Sequence, residues 1–172
     1  MQLLRASALV FAMAAPVAAA DLAVPMNKVS ASGVGEAIGT IVISEKAPGI
    51  SMKIDVTGIP PGPHGFHVHE TGNCEPAVKD DTKQAALAAG GHYDPAHAKS
   101  HKGPEGKGHK GDLPFLTATD KGVNAIVAAD HLTLADLRGR SLMIHAGGDT
   151  YSDTPENGGG AARIACGVIP KE

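Results

Sequence analysis

Short β-branched runs broken by glycine and proline set the pattern of this chain. Glu36–Lys46 (EAIGTIVISEK) is rich in Ile and Val and ends in charge, and in Gly49–Ile59 (GISMKIDVTGI) apolar and polar positions alternate, the two-residue period of a strand with one face in a core. The Ala-Pro-Gly between them is a turn signal, so the two are predicted to pair antiparallel. Further runs are His64–Glu70 (HGFHVHE), Leu113–Thr119 (LPFLTAT), Val123–Leu134 (VNAIVAADHLTL), Ser141–Gly148 (SLMIHAGG) and Ala161–Ile169 (AARIACGVI), with Leu22–Ser32 as an N-terminal strand. About eight short strands with Gly-rich connections predict an all-β fold, an eight-stranded Greek-key barrel or sandwich. Helix is scarce. Asp81–Gly91 (DTKQAALAAGG) is predicted to make a turn or two of helix ending at Gly90. Thr133 is placed to cap a short turn in TLADLRGR that Gly139 stops.

Two long stretches lack the strand pattern, Glu70–Asp112 and Gly147–Gly160. Loops of that length in a compact domain are usually functional or disordered. No repeat or linker interrupts the chain after residue 20, so residues 21–172 read as one domain. Residues 1–20 read differently. One arginine, Arg5, precedes an apolar, Ala-rich run that ends in small residues. This is the make-up of an export signal, cleaved after Ala20. No later segment is long and apolar enough to span a bilayer.

Composition narrows the picture. Without Arg5 there are 14 basic and 18 acidic residues, a net charge of −4, which argues against general nucleic-acid binding. With no tryptophan and only 3% aromatics, the core must be built from Val, Ile, Leu and Ala. Cys74 and Cys166 are the only cysteines. An even count in an exported chain suggests one disulfide, the alternative being two buried thiols. Closing a loop of about 90 residues is valued at roughly 4–5 kcal/mol in the chain-entropy model.

The candidate chemistry lies in the histidines. His67 and His69, in HVH, would emerge on one face of a strand. That is half of a transition-metal site, or a pair of solvated surface side chains. His145 ends the run SLMIH before a Gly-Gly break, where a lone histidine is more often structural. In Gly90–Asp112 (GGHYDPAHAKSHKGPEGKGHKGD), His92, His101, His109 and Asp112 supply three imidazoles and a carboxylate, a full tetrahedral set for zinc with no position left for water. Asp94, before Pro95, reads as a turn residue, and His97 as a solvated passenger. HExxH, GxSxG and GxxxxGK[ST] are absent, and the Gly-rich ENGGGAA follows no strand, so a phosphate loop is not supported.

Taken together, GFHVHE, AAGGHYDP, SHKGPEGKGHKGDLP, MIHAGGD and ARIACGVI resemble the copper,zinc superoxide dismutases, in particular their exported bacterial branch. These pieces occur in family order and cover nearly all of residues 21–172. The resemblance implies an immunoglobulin-like sandwich or barrel. It implies a copper set of His67, His69, His92 and His145, and a zinc set of His92, His101, His109 and Asp112, so that His92 bridges the metals. Asp149 matches an aspartate that links the outer nitrogens of His67 and His101. Arg163 matches an arginine lining the copper channel, Cys74 and Cys166 the family disulfide, and His64 a position that packs and hydrogen-bonds locally.

The expected activity is dismutation of superoxide in the periplasm, with one copper and one zinc per subunit. Superoxide is the small-molecule partner, with no nucleic acid and no membrane span, and a homodimer is one assembly the resemblance allows. Arg163 and His92 are the expected catalytic side chains. Lys79 and Lys83 are candidates to steer the anionic substrate, although Glu75, Asp80 and Asp81 stand beside them. A non-catalytic copper or zinc carrier is the alternative. It would account for the histidine-rich loop but has no need of Arg163.

Overall fold

The computed structural model describes residues 21–172; the export signal expected at residues 1–20 lies outside them. Strands β1 (Leu22–Ser30), β2 (Gly33–Glu45) and β3 (Ile50–Val56) form an antiparallel meander. The alternation read from the sequence is the burial pattern. Ile50, Met52, Ile54 and Val56 point inward from β3, while Lys53 and Asp55 face solvent. The next run is split at Gly65 into β4 (Gly62–His64) and β5 (Phe66–His69). A small hairpin follows, β6 (Ala77–Lys79) with β7 (Thr82–Gln84), and then a 3-10 turn at Leu87–Ala89.

This hairpin corrects the helix expected over Asp81–Gly91. Asp80 and Asp81 take φ of 50° and 57°, and two left-handed residues in a two-residue loop are what a tight hairpin requires. The alanines that favoured helix contribute only the 3-10 turn. The second helical expectation holds. After β8 (Leu116–Ala118) and β9 (Val123–Ala129), α1 (Leu134–Leu137) begins at Thr133. Thr133 and Asp136 cap each other reciprocally, an arrangement worth about 1 kcal/mol. The chain then enters β10 (Ser141–His145), passes a 3-10 turn at Glu156–Gly159 and ends in β11 (Arg163–Val168).

Seven strands form one sheet in the order β5-β10-β11-β1-β2-β3-β9, all neighbours antiparallel. β4 leads into β5 at one edge, and β8 turns tightly into β9 at the other through a Thr119↔Gly122 bridge. The short β4–β8 ladder therefore joins the two edges, and the sheet curls into a barrel. With β4 and β5 taken as one interrupted run and the β6–β7 hairpin standing apart, this is the eight-stranded Greek-key design expected.

The core is aliphatic. Val24, Met26, Ile41, Ile43, Ile50, Met52, Ile54, Val68, Leu142 and Ile144 are wholly buried, and among the described residues Phe66 is the one fully buried Phe or Tyr. Each such side chain stabilises the fold by about 1.5–3 kcal/mol. A smaller cluster of Val29, Ala86, Ala89 and Met143 surrounds the Cys74–Cys166 disulfide, which ties the first long loop to β11.

β5 is an edge strand of the main sheet, paired on one side with β10 through Met143↔His67 and Ser141↔His69. The long loop comes back to cover its other side. Val68 N–H donates to Gly111 O (2.9 Å), Tyr93 N–H to Val68 O (2.8 Å) and Glu70 N–H to Gly91 O (3.1 Å). Isolated bridges match His67 with Asp112 and His69 with His92. The backbone thereby brings the loop's polar residues to the strand that carries HVH.

Candidate metal centre

Strand geometry settles the first pair of imidazoles. Phe66 and Val68 enter the apolar core, so His67 and His69 share the opposite face, and both are fully buried. His145 joins them from the end of β10. Its ring lies against Gly160, where a Cβ would come within 3.1 Å and would press the ring out of place by a few tenths of an ångström.

Backbone carbonyls orient two of these rings. His69 Nδ1 donates to Gly90 O (3.0 Å) and His145 Nδ1 to Ala161 O (3.3 Å). With the proton on Nδ1, each ring presents a bare Nε2, and these two atoms face each other at 3.4 Å. His67 is turned the other way. Its Nε2 donates to the carboxylate of Asp149, and its buried Nδ1 has no hydrogen-bond partner. The side chains of His67 and Asp149 are both fully shielded from solvent. His92 completes the group, its ring stacked on that of His67 at 3.8 Å. One ligand atom from each of His67, His69, His92 and His145 lies within 4.8 Å of all the others.

The second group also contains His92. Ligand atoms of His92, His101 and His109 all lie within 4.8 Å of one another. Asp112, fully buried, stands beside this trio rather than in it, with Oδ1 3.1 Å from His92 Nδ1 and 3.6 Å from His109 Nδ1. Lys102 N–H donates to its other oxygen (3.3 Å). His109 Nδ1, like His67 Nδ1, is buried without a partner.

The aspartate that meets His101 is not Asp149. Asp153 Oδ1 accepts from His101 Nδ1 (3.0 Å) and from the His101 backbone N–H (2.7 Å). Of the two links expected of Asp149, the one to His67 is present, and no bond to His101 is found among the described residues. Asp153 escaped the sequence reading because it looks like one more turn residue in TYSDTP.

Burial keeps these rings neutral. Desolvation, followed by the neighbouring imidazoles, holds His67 and His69 well below the ordinary histidine value. The same causes bring His145 down to about 3. His92 is lowered by desolvation as well, against the opposing pull of its Asp112 hydrogen bond. Desolvation raises Asp149, opposed by the N–H of Tyr151.

A cavity of about 870 Å³ opens over the cluster, lined by His69, His92, His145 and Arg163. Arg163 is half-buried and donates to two loop carbonyls, Ala86 O (2.6 Å) and Gly90 O (2.7 Å). These anchors lie in the loop fastened by the disulfide. Lys79, Lys99 and His97 are exposed members of the lining; Lys83 is not a member. His97 thus stands at the cavity rather than away from it. Asp94 is the turn residue expected, accepting from the N–H groups of Ala98 (3.0 Å) and Lys99 (2.8 Å). His64 lies between the carbonyls of His145 (2.7 Å) and Pro60 (2.8 Å), in the local packing role expected. Among the described residues, no helix is long and apolar enough to cross a membrane.

A family model described as copper/zinc superoxide dismutase matches residues 37–169. The chain belongs to this family. A superoxide dismutase [Cu-Zn] of Brucella abortus is 52% identical over 160 residues, covering 91% of this chain and 92% of that protein. The solved Cu/Zn superoxide dismutase from Brucella abortus superposes with a TM-score of 0.84 at 52% identity, covering 87% of this chain and 99% of that one. A monomeric copper, zinc superoxide dismutase from Salmonella enterica gives a TM-score of 0.79 at 49% identity, covering 87% and 99%. Since that relative is described as monomeric, a homodimer gains no support from it.

The residues fit the two metals of this family. Neutral imidazoles suit copper and zinc alike. Two bare Nε2 atoms facing each other at 3.4 Å repel unless a cation lies beside them. With metal–nitrogen bonds of about 2 Å, two ligands of one ion stand about 3.3 Å apart. The partnerless nitrogens of His67 and His109 fall one in each group, where a buried polar atom otherwise costs about 1–3 kcal/mol.

Proposed function

We propose that His67, His69, His92 and His145 hold copper, that His92, His101, His109 and Asp112 hold zinc, and that the protein dismutes superoxide at the copper set. The observation that carries this reading is the set of buried imidazole nitrogens without protons or partners, aimed at one another beneath a cavity with a fixed guanidinium. Overall, two superoxide anions and two protons give one oxygen and one hydrogen peroxide. When bound, copper supplies the one-electron couple this requires, while zinc supplies a fixed divalent charge without redox chemistry.

The chain's own residues do the rest. Arg163 binds the anion. Its side chain is already oriented by two carbonyls, so little conformational freedom is lost when superoxide docks. Burial lowers Arg163 only from far above neutrality, so it remains a cation. Gly90 O orients both Arg163 and His69, which sets the docking point relative to the copper set. Asp149 keeps the His67 proton on Nε2 and leaves Nδ1 as the donor atom. His92 directs Nδ1 toward Asp112, leaving Nε2 for the copper side. Nε2 is then the atom placed to take up a proton and deliver it to reduced oxygen. A metal carrier would have no use for a guanidinium fixed at the cavity, and nothing in the site favours that reading.

Residues 1–20 act as an export signal cut after Ala20, and the domain of residues 21–172 works in the periplasm. The bacterial relatives and the disulfide support this placement. N-terminal sequencing of the exported protein should begin at Asp21.

The deciding experiment pairs metal analysis with superoxide consumption. Protein loaded with copper and zinc should consume superoxide catalytically, and protein loaded with zinc alone should not. Equal rates in the two samples would overturn the assignment.

A further inference from the structure

Tyr151 joins the two halves of the centre by a path that does not pass through His92. Its hydroxyl accepts from Phe115 N–H (2.9 Å) and donates to Leu113 O (3.3 Å), just past Asp112. Its ring covers Gly103, at φ +69°, where a Cβ would come 2.7 Å from Tyr151 Cγ. The loop bearing His101, His109 and Asp112 is thereby clasped against this side chain. At its other end, Tyr151 N–H donates to Asp149 Oδ1 (2.7 Å), and the second oxygen of Asp149 accepts from His67 Nε2. Tyr151 has φ 50°, a left-handed conformation uncommon outside glycine, asparagine and aspartate. A residue stays in such a conformation when its surroundings hold it from several directions, and here the loop holds the side chain while Asp149 holds the amide.

We propose that Tyr151 is a positioning residue that transmits the state of the zinc-side loop to the His67 ring through Asp149. The hydroxyl registers the loop at Leu113 and Phe115, the amide sets the Asp149 carboxylate, and the carboxylate fixes which nitrogen of His67 carries the proton. Ordering the loop should therefore stiffen His67 even when no metal touches that ring. This rests on the reading that His92, His101, His109 and Asp112 hold zinc.

The test uses the folded, metal-free chain with zinc alone as the probe, followed by proton exchange in NMR. In the unaltered chain, zinc should slow exchange at the Tyr151 amide and at His67 Nε2–H by about tenfold, the equivalent of one well-made hydrogen bond. It should also slow the amides of His109, Gly111 and Asp112. In Tyr151→Phe, zinc should still protect those loop amides, while its effect at Tyr151 and His67 disappears and the His67 ring N–H resonance no longer shifts.

A tyrosine that merely fills space would raise exchange equally with and without zinc, and that result overturns the proposal. So does unchanged zinc protection of His67 in Tyr151→Phe. The unaltered chain decides without any variant: zinc that orders the loop yet leaves His67 Nε2–H unaffected also overturns it. If zinc protects none of the loop amides, the zinc assignment itself falls, and the proposal with it.

Discussion

The two halves of the centre are built from opposite materials. His67, His69 and His145 stand on β5 and β10, over the wholly buried Phe66, Val68, Leu142 and Ile144. His101, His109 and Asp112 stand on a loop of glycine and lysine whose segment Glu105–Lys107 is exposed. On the strands, main-chain carbonyls orient His69 and His145. On the loop, side chains do that work, Asp153 for His101 and Asp112 for His92. The strand half takes its shape from the barrel core and the loop half from polar contacts. Under the proposed assignment, the metal that changes oxidation state falls to the strand half. The loop half has little apolar surface with which to close unaided, and a metal of fixed charge would close it.

That contrast can be tested from its strongest point downward. His145→Ala removes a strand-borne ligand, so superoxide consumption should fall to background while zinc content is kept. Retained activity would remove His145 from the copper set. Asp112→Ala should act on the loop half, weakening zinc binding by at least about 10–100-fold and raising amide exchange over residues 100–113 while β10 stays protected. Competition with a zinc chelator measures the first effect. Arg163→Ala should lower kcat/KM by roughly tenfold and flatten its dependence on ionic strength, since the lost charge both steers and docks the anion. Steady-state rates across a salt series would check this.

A last test concerns pH and the metal-free protein. His67, His69, His92 and His145 have folded values below the unfolded value near 6.5. Above 6.5 they are neutral in both states and cost nothing. As pH falls below 6.5, the unfolded chain takes up protons that the folded one refuses, so stability drops. The loss continues until the folded values are reached, about 3 for His145. Each histidine costs up to about 1.4 kcal/mol per pH unit across its window. Denaturant titrations of metal-free protein at pH 7 and pH 5 should show the decline, and His145→Ala should make it shallower.

The parts legible in the sequence were those governed by short-range periodicity. Alternation along β3 was readable because a two-residue period needs no knowledge of the partner strand. His67 and His69 could be placed on one face for the same reason. The Thr133 cap was readable because its partner is three residues away. Asp149 and Arg163 came only through family resemblance, since each acts on atoms more than seventy residues distant. Asp153 and Tyr151 were not legible at all. Their partners lie across the gap between two loops, and nothing in TYSDTP specifies that contact. The Asp81–Gly91 stretch misled because alanine favours helix, whereas Asp80 and Asp81 had already committed the chain to a hairpin.

The covered edge of β5 has a consequence beyond catalysis. Val68 N–H and C=O are paired to Gly111 and Tyr93, residues of the same loop that carries His101, His109 and Asp112. Whatever lifts that loop also bares a row of unpaired main-chain groups on an edge strand, the template on which another chain can add. In this fold, the placement of His101, His109 and Asp112 and the protection against intermolecular strand pairing depend on a single closure.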